Sequence, residues 1–171
     1  RMNHSSGRRR LRDSSGQAVA EFAMVLPLLL FLFLGMLEIG NALAVSHSLS
    51  RLSREAANIA SRGTSLDTVL TVVDVSGSDI HLGERGGSVV SRIGVRTDGL
   101  EILDQVASPG FLEQSRLGGR GTSPVSFASY GLEAGNTHYV VEIFYHYRPI
   151  TPFARLFKSA LPDPIYERAV F

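Results

Sequence analysis

Two residues near the N-terminal end of the chain have the types and the spacing for peptide-bond cleavage followed by ion pairing. Gly16 is small enough to precede a scissile bond, and Glu21 lies five residues beyond it. Cleavage after Gly16 would leave a free ammonium group on Gln17. A carboxylate that meets this ammonium between neighbouring helices offsets the cost of burying either charge alone. The pattern therefore predicts a cleavage site at Gly16 and Gln17 and an assembly role for Glu21.

An apolar run follows this pair and positions it. Sixteen residues, Phe22 to Leu37, carry no charge. As a helix they would cover roughly 24 Å, which is short of the ~30 Å hydrocarbon thickness of a bilayer. We therefore predict a transmembrane helix over residues 17–45, with Glu21 and Glu38 near its two ends. A carboxylate inside a membrane span is costly and marks function by default. This applies to Glu21, whereas Glu38 can lie at the membrane interface.

Positive charge is concentrated before the apolar run. The net charge is +1 over 171 residues, but residues 1–16 hold five arginines and one aspartate. We interpret residues 1–16 as a basic, disordered leader peptide. Positive charge stays on the cytoplasmic side of a membrane, so we expect a single-pass protein of the cytoplasmic (inner) membrane with residues 46–171 outside the cytoplasm. This role is favoured over nucleic-acid binding, because the arginines directly precede an apolar span.

The helical pattern continues beyond the span. Apolar residues recur three and four positions apart and form one stripe on the helix: Ala42, Val45, Leu49, Leu52, Ala56 and Ile59. We expect residues 46–63 to be an amphipathic extension of the helix outside the membrane, ended by Gly63. The pattern leaves two alternatives open, namely packing of the stripe on the chain's own domain and packing on neighbouring subunits.

Residues 64–171 are expected to form one small extracytoplasmic domain. Ser65 is placed to cap a short helix over residues 65–73, although the β-branched residues there also permit a strand. Residues 77–87 are predicted to be a loop because of their glycines.

Strand signals dominate the rest of this domain. Asp98-Gly99 between two β-like runs predicts a hairpin. The strongest predicted strand, residues 139–147, is apolar on both faces apart from two residues, so we expect it to lie centrally in the sheet. Residues 165–170 predict a further short strand. The predicted fold class is therefore α+β, with one long N-terminal helix followed by a small antiparallel sheet.

No arrangement of residues predicts catalysis, a metal site or a cofactor. The five histidines lack a metal-ligand spacing, the chain has no cysteine, and no serine lies in a Gly-x-Ser-x-Gly elbow. Glu142 lies in the aromatic strand, where a carboxylate paired with a tyrosine hydroxyl or an arginine is a better interpretation than a catalytic acid. We therefore expect a protein that is not an enzyme.

Several of these segments together resemble a known family. The basic leader ending in Gly16, with Glu21 and Phe22 beyond it, resembles a prepilin signal in which Phe22 replaces the usual tyrosine. Residues 141–149 (VEIFYHYRP) and 167–171 (ERAVF) are similar to C-terminal segments of the TadE-like family of the tight-adherence (Flp/Tad) pilus. The resemblance implies a pilin-like minor pilin or pseudopilin, with Glu21 and Phe22 in assembly or recognition.

This resemblance also implies the partners of the chain. They are a prepilin peptidase, other pilin or minor pilin subunits, the inner-membrane assembly platform of the pilus, and membrane lipid. It further implies a contribution to pilus biogenesis, surface adhesion and biofilm formation, with possible extraction of the subunit into a surface pilus.

Two other functions fit parts of the pattern. Ala42-Leu43-Ala44 offers a site for ordinary signal peptidase, which would make the product a secreted soluble protein beginning at Val45. An uncleaved helix would instead anchor an adhesive or sensor domain in the membrane. The mass of the mature chain distinguishes the pilin, the secreted protein and the membrane anchor, because the chain would begin at Gln17, at Val45 or at its original start, respectively.

Overall fold

The fold joins one long helix to a four-stranded sheet. The structure is a computed structural model that describes residues 14–97, 99–125, 135–151 and 162–171, with side chains from residue 16 onward. The predicted α+β class, a long apolar helix followed by a small antiparallel sheet, is confirmed. The elements are α1 (Ser14–Ser61), α2 (Leu66–Ser76), a 3-10 turn (Ser78–Ile80), α3 (Leu82–Arg85), β1 (Gly86–Arg96), β2 (Gly99–Ala107), β3 (Thr137–Tyr145) and β4 (Ile165–Val170).

The helix α1 is continuous over 48 residues. It begins at Ser14, so its first turn includes the end of the predicted leader, while residues 1–13 lie outside the described residues. It continues through Pro27, which removes only one backbone hydrogen bond from a long ladder. Gly63 follows the end of the helix with a φ of 89°, a left-handed conformation that favours glycine.

The second helix, α2, resolves the helix-or-strand ambiguity in favour of a helix. The Ser65 hydroxyl accepts a hydrogen bond from the Thr68 N–H at 3.3 Å, which is the predicted cap. The buried residues of α2 recur at helical spacing and face the core: Leu66, Val69, Leu70 and Val73. Burial of this apolar face outweighs the β propensity of its valines.

The prediction of a loop over residues 77–87 is wrong. This stretch contains the 3-10 turn, α3 and the beginning of β1. Leu82 is fully buried in the main core, and His81 before it has a left-handed φ of 57°. The glycines indicate irregular backbone, but the burial of Leu82 fixes two short helical turns against the sheet.

The sheet has the strand order β2-β1-β3-β4, and every neighbouring pair is antiparallel. The predicted central strand is confirmed, because β3 lies between β1 and β4, although it ends at Tyr145 rather than at residue 147. The predicted hairpin is the β1–β2 pair; Asp98 of its turn lies outside the described residues. The predicted short strand over residues 165–170 is β4.

The two faces of the sheet carry separate apolar clusters. Alternate residues of a strand point to opposite faces, so Val141, Ile143 and Tyr145 of β3 pack with α1 and α2 in the main core. On the other face, Val140 belongs to a smaller cluster with Ile93, Ile102 and Leu117. The main core fixes the C-terminal half of α1 against the sheet.

Candidate functional site

The N-terminal half of α1 extends away from the domain. Every residue from Gly16 to Leu30 is exposed, and Phe31 is the first that is partly covered. Many of these side chains are large and apolar, such as Met24, which is 80% exposed. A helix that is apolar on all sides is typical of a membrane span. Among the described residues, α1 is the one helix long and apolar enough to cross a membrane, which is compatible with single-pass anchoring.

The predicted cleavage and assembly motif lies in this exposed half. It comprises Gly16, Gln17, Glu21 and Phe22, and all four are exposed. The side-chain amide of Gln17 donates a hydrogen bond to Glu21 Oε1, one helical turn away, at 2.9 Å. The surroundings of Gly16 are open, since a Cβ atom at this position would meet no atom within 4 Å. The fold therefore leaves the predicted scissile bond and the carboxylate accessible.

Glu21 has no cationic partner among the described residues. The ion pairs between described residues all lie in the domain that follows α1. The hydrogen-bond donor to Glu21, the Gln17 amide, is neutral. An exposed carboxylate needs no partner in water, but inside a membrane its charge is costly. An ammonium group supplied by a second helix at the same level would reduce that cost.

The predicted packing stripe lies in the other half of α1 and faces the chain's own domain. Its four buried members have 7% exposure or less: Ala42, Leu49, Leu52 and Ala56. Val45 and Ile59 are partly buried and pack against the same core. Of the two alternatives left open by the sequence, packing on the chain's own domain is observed.

The boundary between the two halves is marked by Glu38, for which the sequence predicted only an interfacial position. Its side chain is fully buried. Oε1 accepts hydrogen bonds from the Tyr147 hydroxyl at 2.8 Å and from the Ile150 N–H at 3.1 Å, and Oε2 accepts one from the Thr151 N–H at 3.0 Å. Buried charges require such donors. We call these four residues the Glu38 clamp.

Tyr147 connects the clamp to a second position on α1. The side-chain amide of Asn41 donates a hydrogen bond to the Tyr147 hydroxyl oxygen at 2.8 Å. Burial raises the pKa of Tyr147 to about 12, and Glu38 adds to the increase. The hydroxyl therefore remains protonated near neutral pH and continues to donate to Glu38. No sequence motif signals this clamp, because two of its three donors are backbone N–H groups.

Two serines of α1 hold the strand β4. Ser46 and Ser50 donate hydrogen bonds from their hydroxyls to the two carboxylate oxygens of Glu167, at 3.0 and 2.7 Å. These residues lie next to the apolar stripe, so the carboxylate aligns β4 along the helix. The serines are the polar counterpart of the stripe, and their spacing of four residues could have indicated a shared partner.

The interpretation of Glu142 as a paired carboxylate is confirmed. Its side chain is fully buried and accepts hydrogen bonds from the Tyr166 hydroxyl at 2.8 Å, from the Arg116 N–H at 3.0 Å and from the Ser115 hydroxyl. Burial raises the pKa of Tyr166, so that its hydroxyl remains a donor. These bonds attach the connection after β2 to the face of the sheet that points away from α1.

His146, directly after β3, bridges two carboxylates. Its Nδ1 lies 2.9 Å from Asp163 Oδ1, and its Nε2 lies 2.7 Å from Glu113 Oε1. The hydrogen bond to Asp163 raises the pKa of His146, and Glu113 contributes further, against an opposing effect of burial. Within the described ranges, no group of three histidines, aspartates or glutamates has a metal-binding arrangement.

Comparison with known proteins supports the predicted resemblance of the N-terminal helix to the TadE-like family. A family model described as TadE, TadE-like protein, matches residues 16–58. The match begins at Gly16 and covers α1 almost to its end, while the similarity of residues 141–149 and 167–171 to that family stays a prediction. No curated protein and no solved structure matches the chain. Residues 16–58 are thus similar to the TadE-like family, as their motif predicted.

Proposed function

We propose that this chain is a minor pilin or pseudopilin of a Tad pilus, cut after Gly16 by a prepilin peptidase and assembled through α1. The observation that carries the proposal is the contrast within α1. Its most apolar half is exposed on all sides and carries a single carboxylate, Glu21, while the other half is built into a domain. Such a subunit contributes to pilus biogenesis, and thereby to surface adhesion and biofilm formation, by packing rather than by catalysis.

The proposed topology follows from charge and length. The arginines of residues 1–16 remain in the cytoplasm, and the domain lies outside it. From Gly16 to Leu37 the helix measures roughly 33 Å, enough to cross the ~30 Å hydrocarbon layer. The exposed apolar side chains then face lipid, or the corresponding helices of other subunits once the chain joins the assembly platform.

Assembly in this proposal depends on Glu21. After cleavage, the ammonium of Gln17 belongs to the mature N-terminus, and Glu21 of an adjacent subunit lies within its reach. In the separate chain Glu21 has only the neutral amide of Gln17 at 2.9 Å. The ammonium becomes available only after cleavage, and in the proposed assembly the adjacent subunit supplies it.

Cleavage requires the first turn of α1 to open. The predicted scissile bond follows Gly16, two residues beyond the start of the helix at Ser14. Helix ends fray, and glycine lowers helix stability by about 1 kcal/mol relative to alanine. The same glycine that fits a peptidase site therefore also eases local unfolding.

Secretion after cleavage at Ala44 receives no support from the contacts of α1. Removal of the residues before Val45 would eliminate Glu38 and Asn41, which bind Tyr147. It would also remove Ala42, which is 5% exposed. The domain would lose part of its own structure.

The test is to substitute Glu21 in cells and to measure mature mass, membrane fraction and copurification with the pilus machinery. Glu21→Ala should be cleaved and retained in the membrane but should copurify poorly, because the neighbouring ammonium loses its partner. Breaking a buried pair typically costs about 3–5 kcal/mol. Glu21→Gln should be intermediate.

Gly16→Leu is the matched control for the earlier step. A bulky residue before the scissile bond should leave an uncleaved, membrane-bound precursor. Full assembly of Glu21→Ala would refute the pairing, and normal processing of Gly16→Leu would refute the prepilin assignment.

A further inference from the structure

We propose that the segment Tyr147–Thr151 is a lipid-contact surface, through whose Ile150 the domain rests on the outer face of the membrane. The inference rests on the proposed function, since it requires the N-terminal half of α1 to lie in a bilayer. It adds a second site of membrane contact, distant in sequence from the helix, and it fixes the depth of the domain.

The height of this segment follows from the Glu38 clamp. Glu38 is the residue directly after the charge-free run that ends at Leu37. The Ile150 N–H lies 3.1 Å from Glu38 Oε1. Side chains of a helix lean toward its N-terminus, so the carboxylate lies on the membrane side of its own Cα atom. Ile150 is therefore held at the level where the apolar half of α1 ends.

The exposure of the segment fits a lipid contact. Ile150 is 64% exposed although its backbone is held by a buried carboxylate. Tyr147 is half-buried, with its hydroxyl directed to Glu38 and Asn41. Tyrosine is enriched at membrane–water interfaces because one end of the ring is apolar and the other polar. A lipid surface would cover Ile150 without disturbing any of these hydrogen bonds.

The clamp also makes the contact rigid. Two successive N–H groups, of Ile150 and Thr151, bind one carboxylate. The segment therefore cannot move away from the membrane unless these bonds break. The depth of α1 in the bilayer therefore also sets the depth of Ile150.

The chain is well suited to a depth measurement, because it contains neither tryptophan nor cysteine. Three single-tryptophan variants of the full chain, Ile150→Trp, Met36→Trp and Val125→Trp, are reconstituted in vesicles of equal parts phosphatidylcholine and phosphatidylglycerol. Brominated lipids quench tryptophan from within the bilayer, and iodide quenches it from water. A fluorophore on Ile150→Cys provides a second measurement with a smaller substitution.

Met36 and Val125 are the matched controls. Met36 is 75% exposed in the apolar half of α1 and reports the bilayer. Val125 is 60% exposed, a fraction similar to that of Ile150. Its N–H donates a hydrogen bond to the carbonyl oxygen of Leu117 at 2.7 Å. Leu117 belongs to the same small cluster as Ile93, and Ile93 pairs with His138 near the end of β3 opposite Tyr145. His138 and Tyr145 are roughly 23 Å apart along the strand, so Val125 reports the part of the domain far from Ile150.

We expect the fluorescence at position 150 to be quenched by brominated lipid and to lose most of its quenching by iodide, as at position 36, whereas position 125 should behave in the opposite way. If position 36 is in lipid and position 150 responds like position 125, the lipid contact is refuted and the proposed function is unaffected. If position 36 itself is quenched by iodide, the membrane helix is refuted and the contact with it.

Discussion

The two halves of α1 share one helix but differ in what surrounds them. Residues 16–30 are mostly apolar and all exposed, whereas residues 38–61 contain many more polar side chains and yet bury Glu38, Leu49, Ala56 and Ala60 completely. Hydrophobicity alone would assign the core to the wrong half. What distinguishes the packed half is a combination of small apolar residues that allow close approach and polar residues that find specific partners on the sheet.

The largest expected effect comes from the apolar contacts of the packed half. Leu49 is 0% exposed in the main core, so Leu49→Ala should reduce the free energy of unfolding by about 2–5 kcal/mol. Chemical denaturation of the full chain in detergent micelles measures the change. Met36→Ala, in the exposed half, should leave the stability of the domain unchanged; an equal loss for both variants would contradict the division of α1.

The Glu38 clamp should come next. Glu38→Ala leaves the Tyr147 hydroxyl and two backbone N–H groups without their acceptor, at a cost of about 1–3 kcal/mol. Amide hydrogen exchange at Ile150 and Thr151 should accelerate together with this loss. Glu21→Ala is the control in the exposed half and should change neither quantity. Unchanged protection of both amides in Glu38→Ala would mean that other contacts hold the segment.

A smaller effect is expected where β4 is tied to α1. Ser50→Ala removes one hydrogen bond to Glu167 and should cost about 1 kcal/mol. Within the described ranges, the Ser48 hydroxyl donates only to the backbone carbonyl of Ala44 in its own helix, so Ser48→Ala should be nearly neutral. A double-mutant cycle of Ser50→Ala with Glu167→Ala measures the coupling, and additive effects would indicate that the bond contributes nothing to β4 docking.

The smallest expected effect is a pH dependence of stability at His146. Its pKa is raised in the folded chain by Asp163 and Glu113, so its contribution is complete below the unfolded value of about 6.5 and declines as the pH rises through the folded value. His146→Gln should therefore narrow the stability difference between acidic and alkaline pH. If the pH profile of stability of His146→Gln equals that of the unsubstituted chain, the bridge is excluded.

Much of the fold follows from local patterns in the sequence. The long helix, the cap at Ser65, the central strand β3 and the strand β4 are all indicated by periodicity or turn chemistry, because each depends on neighbours in the chain. The short helices around Leu82 are not, since they exist only through contact with a core built from distant residues. Composition there indicates glycine-rich loop, and burial overrides it.

The candidate site divides in the same way. Gly16 and Glu21 can be singled out in the sequence because the proposed cleavage and pairing depend on spacing within one segment. The clamp is not recognisable, because Glu38 binds backbone donors of Ile150 and Thr151, more than a hundred residues later, and backbone groups carry no residue signature. A glutamate directly after an apolar run is the hint that the sequence contains.

The hydrogen bond between Ser46 and Glu167 joins two residues that are synthesised at different times. They are 121 positions apart, and at about 5–20 residues per second of synthesis β4 follows this part of α1 by roughly 6–24 s. Until β4 arrives, β3 lacks one neighbour and α1 lacks the carboxylate that aligns it. In the proposed topology, the chain beyond α1 therefore crosses the membrane as an unfolded polypeptide, and its folding is completed outside the cytoplasm, after α1 is already in the bilayer.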